Sequence, residues 1–398
     1  MSRSKGTSRR GAMHCALCGR EEKRISAGIG VCRDCILQRP SEALALIQQR
    51  HAESRRRFGL PPAVPKGASP HARRCGVCAN ECEIPPGEKG FCGLRTNDGQ
   101  RLRTLAGDPN GGLVSWYHDP LPTNCVASWV CPAGTGSGFP RFALRPGPEY
   151  GYYNLAVFYE TCSFDCLFCQ NWHFRNAHPL RSRTRLATSA DLARAVTERD
   201  TCICFFGGDP GPQIGHALHA ARLALQARRR QPLRICWETN GQLSQIGLRA
   251  ALDISLRTGG CIKFDLKSFS DPIHIALTGV SNARVLQNFA WAARQNSLRP
   301  EPPLVVASTL LVPGYVTAEE VAAIASFIAS LDPRIPYSLL AFAPQFEMAD
   351  LPPTSRQEAE ACLHAALDAG LTCVRIGNAH LLWDESRTPF PADSFAGA

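Results

Sequence analysis

Cys162, Cys166 and Cys169 form a C-x3-C-x2-C pattern, Cys-Ser-Phe-Asp-Cys-Leu-Phe-Cys, directly after an apolar run. Thiolates so closely spaced can share one metal centre, and in a four-iron cubane three of them leave one iron without a protein ligand. A substrate can bind at that open iron. Further polar segments follow at the ends of successive β-type runs: Gly207-Gly208-Asp209-Pro210, Glu238-Thr239-Asn240-Gly241 and Asp265-Leu266-Lys267. Glycines let the backbone approach a ligand closely. Period-two alternation puts Asp265 and Lys267 on one side of their strand, and a lysine there suits a carboxylate. Taken alone, G-G-D-P reads as a turn and D-x-K as a structural ion pair. Their succession after a cysteine triplet argues for a ligand site.

The remaining cysteines are also grouped. Cys15, Cys18, Cys32 and Cys35 form two C-x2-C knuckles separated by thirteen residues, a spacing that fits tetrahedral zinc. So short a segment has almost no core of its own, and metal ligation would be its main stabilisation. Cys75, Cys78, Cys82 and Cys92 are a second set of four, which suits either a structural zinc or an auxiliary iron-sulfur cluster. Cys125 and Cys131 are more widely spaced and have no obvious partners; auxiliary ligands, a thiol hydrogen donor and plain buried cysteines all fit them.

With these segments in this order, the chain resembles the radical S-adenosylmethionine (SAM) superfamily over about residues 73 to 380. Within it the chain is most similar to pyruvate formate-lyase activating enzymes and Memo-associated radical SAM proteins. The later segments TGVSNARVLQNF, LLVPGY, FAPQF and RIGN recur in the same order. The resemblance implies a partial (β/α)6 TIM-like barrel with small N-terminal Cys-rich modules. It implies a [4Fe-4S] cluster on Cys162, Cys166 and Cys169, whose open iron is chelated by SAM. Phe168 would pack near the adenine. Gly207, Gly208 and Asp209, with Asp where the family has Glu, would hold the methionyl amine; Glu238, Asn240, Asp265 and Lys267 would bind ribose and carboxylate. The stretch HCALCGREEKRISAGIGVCRDCI resembles the zinc-binding domain of the Clp protease unfoldase, a module that dimerises and docks partner proteins.

Seven β-type runs must position these residues: YYNLAVFYE, TCICFFGG, LRICWETNG, CIKFDLKS, PLVVASTLLVPG, PYSLLAFAP and LTCVRIGN. Amphipathic stretches such as SADLARAVTER, IGHALHAARLALQARRR and TAEEVAAIASFIASL lie between them. Alternation of this kind predicts an α/β fold of parallel strands with crossover helices, its site at the strand C-termini. The expected organisation is a C4 module at 1–45, then a helix and basic Pro-rich linker at 46–72. A Cys-rich extension at 73–149, the barrel at 150–385 and a tail at 386–398 follow.

The formal charge is +10, and residues 1–75 hold 16 Lys or Arg against 5 Asp or Glu, a balance of +11. Attraction to nucleic acid or an acidic partner would therefore reside in the head, although no interleaved aromatics support nucleic-acid binding. Neither a secretory signal nor a long apolar run is evident, which predicts a cytoplasmic protein without a membrane span. The expected function is reductive SAM cleavage to a 5′-deoxyadenosyl radical that abstracts hydrogen from a small molecule or peptide. An electron donor such as flavodoxin or ferredoxin would supply the reductant. Glycyl radical enzyme activation and a non-catalytic zinc scaffold are the alternatives; the stretch after Cys169 lacks the extra cysteines that activases often carry there.

Overall fold

The computed structural model describes residues 13–67, 69–176, 186–228 and 231–384; the tail at 386–398 and the basic residues before Met13 lie outside this range. One eight-stranded sheet dominates the chain. Its strands are β1 Val114–Pro120, β2 Tyr153–Tyr159, β3 Asp200–Gly207, β4 Arg234–Thr239, β5 Ile262–Asp265, β6 Val305–Leu311, β7 Tyr337–Ala341 and β8 Val374–Gly377. They lie in the order 8-7-6-5-4-3-2-1, so every strand neighbours its successor. Strands β2 to β8 are parallel, while β1 pairs antiparallel with β2 over seven residues. The two outer strands do not pair, which leaves the barrel partial.

The seven apolar runs are the seven parallel strands, one more than a six-unit barrel requires. Strand β1 was not expected. Its residues V-S-W-Y-H-D-P are half-buried or exposed throughout, so it shows neither an apolar run nor a clean alternation. By contrast β6 is buried at every position, as befits a strand covered on both faces.

The crossover helices follow the sequence periodicity. In the helix Ala318–Leu331, Val321, Ile324, Ala325 and Ile328 occupy the i, i+3, i+4, i+7 positions and are buried against the sheet. Ser355 and Glu358 form a reciprocal capping box that starts the helix Arg356–Asp368. Pro40 opens the helix Pro40–Arg57, where its missing N–H costs nothing.

The N-terminal segment packs on the barrel. Ile25, Ile29, Val31 and Ile36 share one apolar cluster with Leu277, Tyr315 and Leu351. The backbone N–H of Ser26 donates to Tyr315 Oη at 3.1 Å, and that hydroxyl donates to the carbonyl of Val31 at 3.2 Å. Nor is the charged run Arg55–Arg57 that ends the helix Pro40–Arg57 wholly exposed. Arg55 is buried, its guanidinium 3.5 Å from the Phe91 ring centroid and bonded to the carbonyls of Pro61 and Phe91.

Candidate active site

A cavity opens at the C-terminal ends of β3 to β7. The eleven residues named above as candidates for holding a cluster and SAM all line it: Cys162, Cys166, Cys169, Phe168, Gly207, Gly208, Asp209, Glu238, Asn240, Asp265 and Lys267. Leu310 and Leu340 supply apolar wall from β6 and β7.

The loop that carries the three cysteines is fixed from several sides. Asp165 and Leu167 donate their N–H groups to the carbonyls of Thr278 and Leu277, at the end of the helix Asp271–Thr278. Glu347 donates to Leu167 O at 3.0 Å. Asp165 itself, between the first two cysteines, is fully buried. It accepts from Arg175 at 2.5 Å, lies 2.8 Å from His51 Nδ1 and 3.5 Å from Arg55. Burial alone would raise its pKa, but Arg175, the His51 hydrogen bond and Arg55 hold it below the ordinary aspartate value.

Gly207 and Gly208 lie against the same loop. A Cβ on Gly208 would stand 2.2 Å from Thr161 O and 2.6 Å from Tyr159 O; Gly207, at φ +99°, would meet Phe158 Cα at 2.7 Å. Only glycine allows this approach. Asp209 uses its carboxylate as a brace, Oδ1 accepting from Thr239 Oγ1 (2.7 Å) and Asn240 N (3.1 Å), Oδ2 from Gly211 N (2.9 Å). Burial pushes its pKa up to about 6 against the pull of these donors. Asn240 Nδ2 donates to Ser163 Oγ at 2.9 Å and lies 3.5 Å from Cys162 Sγ, so its amide faces the cysteine loop.

Lys267 is ion-paired to Asp265 Oδ2 and stands 5.3 Å above the Phe168 ring. Burial opposes its charge, but Asp265 outweighs that and keeps the ammonium protonated. Asp265 Oδ1 is buried without a partner. A cavity with a buried acceptor left over is one that expects a ligand donor.

Below this cavity lies a group of side chains that the motifs above do not mark. Lys263 Nζ lies 2.9 Å from Cys204 Sγ, 3.0 Å from Cys125 Sγ and 3.1 Å from Glu238 Oε2. The free thiol of Cys261 donates a hydrogen bond to the sulfur of Cys236, drawing the Cys236 pKa down to about 6 although burial opposes this. Cys125 and Cys131 thus lie among strand cysteines and pack with Cys236 against Cys261. The available signal was cysteine at or near the start of three consecutive strands, in T-C-I-C, R-I-C-W and C-I-K.

At the head, the sulfurs of Cys15, Cys18, Cys32 and Cys35 all lie within 4.8 Å of one another, Cys18 and Cys32 being 3.8 Å apart. Burial opposes ionisation of Cys15, but the N–H groups of Cys32, Cys18 and Leu17 bring its pKa down to about 6. These four could hold one ion.

Residues 156–328 match the family model of the Radical SAM superfamily, so the chain carries a radical SAM domain. It is similar to an uncharacterized protein of Methanocaldococcus jannaschii, 24% identical over 77% of this chain and 81% of that one. It is also similar to the isethionate sulfite-lyase activating enzyme of Oleidesulfovibrio alaskensis, 34% identical over 46% of this chain and 59% of that one. The pyruvate formate-lyase 1-activating enzyme of Escherichia coli is 27% identical over 35% of this chain. The chain spans little more than half the length of these two named activating enzymes, 59% and 56%.

A radical SAM domain implies SAM and an iron-sulfur cluster, and the residues present fit both. Three thiols on one loop suit a cluster with one free iron. The glycine cradle, the ammonium of Lys267 and the unpartnered oxygen of Asp265 suit an amino acid moiety and its polar groups. Among the described residues no helix is long and apolar enough to cross a membrane.

Proposed function

We propose that the chain is a radical SAM enzyme whose Cys162, Cys166 and Cys169 hold a [4Fe-4S] cluster and whose substrate is a small molecule or peptide. The observation that carries this reading is the convergence of those cysteines with Phe168, Gly207, Gly208, Asp209, Glu238, Asn240, Asp265 and Lys267 on one cavity. When bound, cluster and SAM supply a one-electron cleavage that yields methionine and a hydrogen-abstracting 5′-deoxyadenosyl radical.

The chain's own part is binding, orientation and exclusion of water. Gly207 and Gly208 offer backbone to the methionyl amine. Lys267 pairs with the carboxylate, Glu238 and Asp265 take polar hydrogens, and Phe168 packs on the adenine. Leu310 and Leu340 keep the far wall dry, which protects a radical from solvent. The electron comes from a one-electron protein donor such as flavodoxin or ferredoxin, and the head's four cysteines hold zinc. The named relatives, both activating enzymes, favour a second reading, activation of a glycyl radical partner protein.

The test is anaerobic reconstitution with iron and sulfide, reduction in the presence of SAM, and chromatography for 5′-deoxyadenosine. Wild type should produce it and the Cys162/Cys166/Cys169→Ala variant should not. Zinc alone in both proteins, with no SAM cleavage, would return the chain to the scaffold reading.

A further inference from the structure

We infer that Cys75, Cys78, Cys82 and Cys92 hold a second iron-sulfur cluster, not zinc, set beside the loop of Cys162. The two sets of four cysteines in this chain differ in spacing. A tetrahedral zinc with bonds of about 2.3 Å places its sulfurs about 3.8 Å apart, and the head group, with all its sulfurs within 4.8 Å, has that spacing. Among the described residues neither the Cys75 set nor Cys162, Cys166 and Cys169 contains three sulfurs so close. A cubane puts each thiolate on a different iron and holds the sulfurs farther apart than one ion does. The Cys75 set therefore lacks the close spacing of the head, as the triplet does.

The four cysteines nonetheless lie together: Cys75 N donates to Cys82 O at 2.8 Å, Glu81 N donates to Cys78 O at 3.3 Å, and Phe91 N, next to Cys92, donates to Cys82 Sγ at 3.4 Å. Cys75, Cys78 and Cys82 are buried. Backbone N–H groups of Val77, Asn80 and Phe91 bond Cys75, Cys78 and Cys82, the last at 3.4 Å. Such donors stabilise cluster sulfurs as they would any thiolate. Between Cys78 and Cys82 the chain turns at Glu81, whose φ of +46° is rare for a residue with a side chain. Strain of this kind is found at functional sites.

The same loop is bonded to the triplet. Asn80 Nδ2 donates to Ser163 O at 2.7 Å, Gln242 Nε2 donates to Asn80 Oδ1 at 3.0 Å, and Ala79 N donates to Gln242 O at 2.9 Å. Cys92 and Cys162 line one cleft. With all four irons ligated by protein, a cluster here has no open position for substrate. Its chemistry is confined to exchange of electrons.

The inference does not depend on SAM cleavage, and the experiment separates the two. Full-length protein is reconstituted anaerobically as wild type, as Cys162/Cys166/Cys169→Ala and as Cys75/Cys78/Cys82/Cys92→Ser. Iron and zinc are counted, and electron paramagnetic resonance of the reduced proteins is recorded with and without SAM. Wild type should bind about eight irons and each variant about four. The Ala variant should keep a reduced-cluster signal that SAM does not alter. Should the Ser variant fail to fold, the Ala variant alone decides, because its Cys75 set is intact. Zinc without iron in the Ala variant overturns the inference. Iron in that variant, with a wild-type signal insensitive to SAM and no 5′-deoxyadenosine, instead overturns the proposed function and leaves the second cluster standing.

Discussion

His51 Nδ1 lies 2.8 Å from Asp165 Oδ2, a contact between residues 114 positions apart that ties the N-terminal helix to the loop of the cysteine triplet. The other ring nitrogen faces the carbonyl of Ala276 at 3.1 Å, so the imidazole is held at both ends. Arg55 from the same helix and Arg175 from beyond the triplet complete the surround of one carboxylate. The head is therefore part of the support of the site.

Replacing Asp165 with Asn leaves two buried guanidinium groups without their counter-charge. Removing one partner from a buried ionic group costs about 3–5 kcal/mol. Chemical denaturation of the Asp165→Asn protein should show a loss in that range, and reconstitution should show lower iron retention at the triplet. A loss under about 1 kcal/mol, the usual figure for an exposed pair, would mean that the carboxylate does not hold this network together.

Gly208 is a second structural support. The Gly208→Ala methyl must displace Thr161 O, one residue before Cys162. Overpacking of this kind costs about 1–3 kcal/mol. A misplacement of about 1 Å at a reacting group costs about 10²-fold in rate, so 5′-deoxyadenosine formation should fall far more than stability. Gly147→Ala, with nothing within 4 Å of the added carbon, is the control and should change neither.

The contrast between these two residues indicates what a sequence can reveal. Gly208 was legible because glycine, acid and lysine residues at strand ends break an apolar run in a way that packing does not require. The seven parallel strands were legible for a related reason, since buried strands are continuous apolar runs. The Asp165 network was not, because its members are 10, 110 and 114 residues from the carboxylate and each looks like an ordinary surface charge. Strand β1 escaped because an edge strand need not be apolar, and the Lys263 thiol group because its cysteines come together only when the strands align.

Acid should weaken the fold through Glu149. This residue and Arg234 form a fully buried pair in which burial would raise the glutamate pKa, but Arg234 and Thr201 bring it below the ordinary value. A depressed pKa contributes stability above the unfolded value, ~4.3, and that stability is lost as pH falls through the folded one. The stability gap between wild type and Glu149→Gln should thus be widest near neutral pH and shrink below about pH 4. Urea denaturation at several pH values measures it, and a gap that is constant with pH would contradict the assignment.

Tyr315→Phe tests the docking of the head. The hydroxyl accepts from Ser26 N and donates to Val31 O in a fully buried setting. Its removal orphans both backbone groups, at about 1–3 kcal/mol. Hydrogen exchange should rise at residues 25–31 while the barrel strands remain protected. Uniform loss of protection would mean that head and barrel unfold as one unit.

Ser26 Oγ donates to Asp350 at 2.8 Å across 324 positions of chain. The Cys15 group needs only 21 residues to complete its ligand set, whereas its docking face is not made until synthesis has passed Asp350. On the ribosome these four thiols could therefore take up an ion long before there is a barrel to receive the head. The triplet loop, which needs Glu347 at Leu167 and His51 at Asp165, reaches its final shape only near the close of translation. An ion taken up at the head and a cluster built at the triplet would thus reach one polypeptide at different times.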